Sequence, residues 1–180
     1  MGTNTGVRLA LGIAVRTGWA ACLVAGGSLR DPRVVVREHV ELLGDPERFV
    51  FHRASEGTPA DAPRAVASAR AAATEISGRV LRRLKAEHGV VRCAVVAKGG
   101  AMPELTAILA SHPRIHTAEG MFYRDVILGA AEACWMEAQL VLPSSLDLTS
   151  KAVTAAGKAV GRPWSAEWKA AALAAWSLLG

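Results

Sequence analysis

The chain has 180 residues, 51% of them hydrophobic, and its 21 Lys and Arg against 16 Asp and Glu give a net charge of +5. That is too apolar for a disordered chain and of a length typical of one domain, so a single domain over residues 1–180 with one substantial core is expected. The basic balance permits a nucleic-acid or acidic partner without requiring one, and no Lys or Arg run reaches the roughly five residues of a polybasic tail.

Val7 to Val15 reads as a buried strand, Arg16-Thr17-Gly18 as a tight turn, and Trp19 to Ala25 as the partner strand of a hairpin. The apolar stretch from Val7 to Ala25 is broken by Arg8 and by this turn, so no membrane span is expected. The start, Met-Gly-Thr-Asn-Thr-Gly, lacks the basic region of a signal peptide. Cys22, Cys93 and Cys134 are far apart among apolar residues and form no Cys-x-x-Cys, which reads as buried reduced thiols. Together these features point to the cytoplasm.

Arg33 to Leu42 is a third strand. By period two, Val34, Val36, Val40 and Leu42 share one face, and Glu38 falls in the same set. An inward carboxylate there hints at function; a β-bulge that turns it outward is the structural alternative. Gly44 to Asp61 reads as a loop region. A long helix from Asp61 to Glu87 follows, with Val66, Ala69, Ala73, Ile76, Val80 and Leu84 as its apolar stripe. On this helix Arg79, Arg82, Arg83 and Lys85 spread around the surface rather than lining up.

Val90 to Ala97 is an apolar run of the kind buried on both faces of a sheet. A short helix over Pro103 to Ala110, a loop over Ser111 to His116 and a helix from Thr117 to Trp135 come next. Gln139 to Leu142 is a fifth strand stopped by Pro143, and helices over Ser150 to Val160 and Ser165 to Leu178 close the chain. The alternation of strand and helix in the second half implies parallel strands joined by crossovers.

This order, together with Leu11-Gly12-Ile13-Ala14-Val15-Arg16-Thr17-Gly18-Trp19, Cys93-Ala94-Val95-Val96-Ala97-Lys98 and the alanine-rich Lys169 to Ala174, resembles the ribonuclease H-like superfamily. Within it the Holliday-junction resolvase branch is nearest. The resemblance implies an α/β fold with a mixed five-stranded sheet, an antiparallel meander then parallel strands, flanked by helices. The segments His116 to Gly120 and Gly161 to Trp164 also resemble a group of bacterial proteins, a likeness that implies no activity.

The family's nuclease chemistry needs about four carboxylates holding two Mg²⁺ ions about 4 Å apart. By resemblance the first acid belongs at Ala14, the second at Lys98, and the last pair in the segment that holds Glu167, Lys169 and alanines. Met1 to Leu29 contains no Asp or Glu. The expectation is therefore a scaffold without two-metal nuclease activity and with no cofactor or metal, acting as a binding or interaction module. Its candidate partners are nucleic acid, another protein or a second copy in a homodimer. Arg16, Lys98, Arg124 and Lys169 are the candidate binding cations, and the turns at Arg16 and Lys98 can present backbone N–H groups to an anion.

The alternative is a hydrolytic enzyme or nuclease with a relocated site around His116, Glu119 and Asp125. These residues belong to the densest polar cluster, with His112 and Arg124. A His–carboxylate pair three residues apart on a helix suits acid–base work or metal binding, although no third ligand is evident. Glu119 near a helix start is also what the helix dipole favours for stability alone. Trp164, Trp168, Ala172 and Trp176 recur every four residues, which fits either packing on the sheet or an interface.

Overall fold

The computed structural model describes residues 8–180. Val7, where the first strand was expected to begin, and the segment read for a leader lie outside them. Strands β1 (Leu9–Arg16), β2 (Trp19–Gly27) and β3 (Pro32–Glu41) form the antiparallel meander. Helices α1 (Val50–Glu56) and α2 (Ala62–His88) lead to β4 (Arg92–Val96). Helices α3 (Leu105–Leu109) and α4 (His112–Ala133) lead to β5 (Glu137–Val141), and α5 (Lys151–Val160) and α6 (Ala166–Ser177) end the chain. The sheet order is β3-β2-β1-β4-β5, with β4 and β5 parallel to β1. This is the mixed sheet that the ribonuclease H-like resemblance implies.

Period-two alternation in β1 supplies both faces. Leu11, Ile13 and Val15 join α2 and α4 in one core, whereas Ala10 and Ala14 join α5 and α6 in the other. The second core is built from small residues, which lets α6 lie close on the sheet. Trp176 is fully buried there and donates its indole N–H to the Gly26 carbonyl at 3.2 Å. Trp164 and Trp168 pack partly buried against the same core, Trp164 from before α6, where it lies on α5 and donates to the Val153 carbonyl at 3.0 Å.

Three sequence expectations change. The 44–61 segment is not all loop, because α1 lies within it. The 111–116 segment is not a loop either: α4 begins at His112, with Pro113 in its first turn, where a missing N–H costs nothing. Val34 does not share a face with Val36. The register shifts where Val24 pairs Val36 and Ala25 pairs Val34, leaving Val35 bulged, and Val34 joins the α6 side. Glu38 stays on the α2 side at the rim, where it forms an ion pair with Arg83.

Two of the four clustered cations of α2 are thereby committed to the fold. Arg83 holds Glu38 and Glu87, and Lys85 donates to the carbonyls of Cys134 and Trp135 at 2.8 and 3.1 Å. The three cysteines are free and buried. Burial pushes the Cys22 and Cys93 thiols up to about 12. A thiolate-selective reagent at neutral pH should therefore leave these two unmodified in the folded protein and label them once it is unfolded. Rapid native labelling of either, read by mass spectrometry, would contradict the buried placement. Among the described residues no helix is long and apolar enough to cross a membrane.

Candidate functional site

The polar cluster of α4 gains a partner that the sequence did not reveal. His112 and His116 are one helical turn apart, with their Nε2 atoms at 2.9 Å. His52, in the first turn of α1, brings its ring to 4.7 Å from that of His116 and 5.3 Å from that of His112. One nitrogen from each ring lies within 4.8 Å of the others. His112 and His116 are exposed and His52 is part-buried, so the group opens to solvent. His52, His116 and Glu56 line the same open groove with Pro46, Phe49 and Arg53.

Glu119 lies beneath this cluster and is 2% exposed. Its carboxylate accepts hydrogen bonds from the backbone N–H groups of Val50, Phe51 and His52 at 3.1, 2.9 and 3.3 Å. It also bonds Nδ1 of His52 at 3.2 Å. The dipole that favours Glu119 is thus the N-terminus of α1, a different helix from its own. One turn further along α4, the Tyr123 hydroxyl donates to the Arg48 carbonyl at 2.7 Å. Burial first, and the nearby Glu119 carboxylate second, push that hydroxyl above the usual phenol range. Glu119 and Tyr123 together hold the approach to α1 against α4.

Asp125 does not join this group. Its carboxylate pairs instead with Arg124 at 2.7 Å, and Arg124 is 5% exposed. Arg124 also donates to the carbonyls of Lys98 and Gly100 at 2.8 and 3.0 Å. Its donors are spent on the loop after β4, so it positions that loop rather than presenting a free cation.

Two of the remaining candidate cations, Arg16 and Lys98, sit at one end of the sheet. Arg16 ends β1 and Lys98 follows β4, the parallel neighbour whose Val96 pairs with Ala14. The first turn of α6 covers this end, where Glu167 accepts from Arg16 at 2.9 and 3.1 Å. Glu167 also accepts from the Ser165 hydroxyl at 2.7 Å. The Ser165 hydrogen bond, with help from its own backbone and from Arg16, holds the Glu167 carboxyl below the usual carboxylate range. Ala14 is 1% exposed beneath α6. Lys169 turns toward α5 and lines an open groove with Lys158, Arg162, Thr154, Trp164 and Ser165. No carboxylate lines that groove. Arg37 of β3 fixes the groove wall by donating to the carbonyls of Val160, Gly161 and Arg162 at 3.2, 3.3 and 3.4 Å.

No protein-family model matches this chain, and no curated protein matches it. Solved structures do. Thermus thermophilus RuvC in complex with a Holliday-junction substrate is 13% identical, over 94% of this chain and 90% of that one, with a TM-score of 0.54. A structure of Thermus thermophilus RuvC is 12% identical, over 94% and 92% of the two chains, with a TM-score of 0.53. At such identities the likeness concerns the fold, which is ribonuclease H-like over nearly the whole chain.

Proposed function

We propose that this chain binds the phosphate backbone of nucleic acid on a ribonuclease H-like scaffold, without two-metal cleavage. The observation that carries the reading is the basic groove lined by Lys158, Arg162 and Lys169, together with the lack of free acids at the ends of β1 and β4. Two Mg²⁺ ions would need several hard oxygen ligands there. The residues present do not fit such a pair of ions. Ala14 has no metal-ligating atom in its side chain, Lys98 and Lys169 would repel a cation, and the carboxylate of Glu167 is already held by Arg16 and Ser165.

The groove between α5 and α6 suits an anion. Lys158, Arg162 and Lys169 line a groove wide open to solvent, with Trp164 as an aromatic wall. The RuvC structure with a Holliday junction supports testing branched DNA first. The relocated hydrolytic site drawn from His116, Glu119 and Asp125 has less support. Glu119 is bonded by α1 and Asp125 by Arg124, so neither carboxylate stands free beside His116.

The test is a titration of labelled four-way junction, duplex and single-stranded DNA, and RNA, at several salt concentrations with Mg²⁺ present. Binding should weaken steeply with salt. Each phosphate contact contributes a slope of about −0.9 in log K against log salt on duplex DNA, so K158E/R162E/K169E should make the slope shallower by about 2–3. The strands should stay intact. Absence of binding at low salt would remove the nucleic-acid reading, and metal-dependent cleavage would remove the non-catalytic one.

A further inference from the structure

The geometry points to a three-histidine site for a divalent transition-metal ion of the zinc class, formed by His52, His112 and His116 where α1 meets α4. This site is independent of the nucleic-acid reading, since it lies on the α2–α4 side of the sheet and shares no residue with the basic groove.

Its first support is convergence. Three imidazoles from two helices place one nitrogen each within 4.8 Å of the others. A tetrahedral ion about 2.0–2.1 Å from each nitrogen would set the nitrogens about 3.4 Å apart. The 2.9 Å between His112 and His116 and the 4.8 Å limit on the whole group lie on either side of that value, so small side-chain rotations suffice. Without metal, one of the two Nε2 atoms donates to the other. With metal, both lone pairs turn to the ion.

The second support is orientation. The hydrogen bond from Nδ1 of His52 to Glu119 leaves Nε2 as the ligating nitrogen. Glu119 cannot drift, because three backbone N–H groups of α1 hold it and it is 2% exposed. A buried carboxylate behind a ligating imidazole fixes the ring and strengthens it as a ligand. Its negative charge also offsets part of the ion's.

Chemistry sets the class of ion. Neutral imidazoles suit Zn²⁺, Co²⁺, Ni²⁺ or Cu²⁺, whereas Mg²⁺ prefers oxygen. Three protein ligands leave a fourth position, which faces the groove lined by Glu56 and Arg53 and would take water or an anionic ligand there. A bound ion would also clip α1, a helix of seven residues, to α4.

Untagged, metal-stripped protein titrated with Co²⁺ tests this. One equivalent should produce the visible absorption of four- or five-coordinate cobalt, and Zn²⁺ should abolish it. Zn²⁺ should raise the melting temperature of the wild type, and Mg²⁺ should not. His112→Ala and His116→Ala change exposed side chains and should fold; each should weaken Zn²⁺ binding at least tenfold, and the double variant at least a hundredfold. His39→Ala, whose ring stacks on Trp19, should bind as the wild type does. No cobalt spectrum and no thermal shift with excess Zn²⁺ would overturn the site. So would unchanged affinity in the folded double variant.

Discussion

Gly12→Ala is expected to destabilise the protein by about 3 kcal/mol or more. A Cβ at position 12 would stand 1.8 Å from the Ala171 carbonyl oxygen, 2.6 Å from its carbon and 3.1 Å from the Ala175 nitrogen. These are backbone atoms, so no side-chain rotation relieves the clash, and α6 must lift from β1. Lifting it loosens contacts that Trp176 and the alanines of α6 make with β1, β2 and β4. The methyl itself would add less than about 1 kcal/mol of burial, so the clash dominates. Gly129→Ala is the matched control. It lies in α4 with no heavy atom within 4 Å of the added carbon, and should stabilise by about 0.5–1 kcal/mol through helix propensity alone. Urea unfolding of both variants checks this. A Gly12→Ala variant as stable as the wild type would show that α6 does not pack this closely on β1.

The contrast between these two glycines shows what the sequence could carry. The strands, α2 and the last two helices were legible because their signals are local. Apolar runs on either side of the Arg16-Thr17-Gly18 turn mark β1 and β2, and a stripe from Val66 to Leu84 marks α2. Gly12 read as one more strand residue, since its partner Ala171 is far along the chain. The Val35 bulge was hidden because an unbroken run of three valines hides which one is unpaired. Of the site, His112, His116 and Glu119 were legible as a cluster on one helix, and His52 was not. It sits on α1, which has only seven residues, begins after Phe49 and has no side-chain cap of its own. Its cap comes from Glu119, 69 residues beyond Val50, and no reading of residues 44 to 61 alone contains that information.

Glu119→Ala should accordingly cost about 3 kcal/mol or more, and Glu119→Gln about 1–2 kcal/mol. The carboxylate satisfies three N–H groups at the start of α1, which a helix N-terminus otherwise leaves without partners. Alanine removes every acceptor and leaves those donors facing an apolar core that includes Phe51 and Phe122. The amide of glutamine keeps one oxygen but offers N–H where an acceptor is needed, and it carries no charge to meet the helix dipole. Urea unfolding measures the loss, and hydrogen exchange locates it: the amides of Val50, Phe51 and His52 should exchange faster in both variants, while those of β1 and β4 in Glu119→Gln keep their protection relative to its global stability. Glu119→Gln would also replace the carboxylate behind the His52 ring with a neutral amide, so it should weaken Zn²⁺ binding about 10–100-fold while His112 and His116 remain. Unchanged stability together with unchanged exchange at residues 50–52 would detach Glu119 from α1. The carboxylate would then be free for acid–base work beside His116.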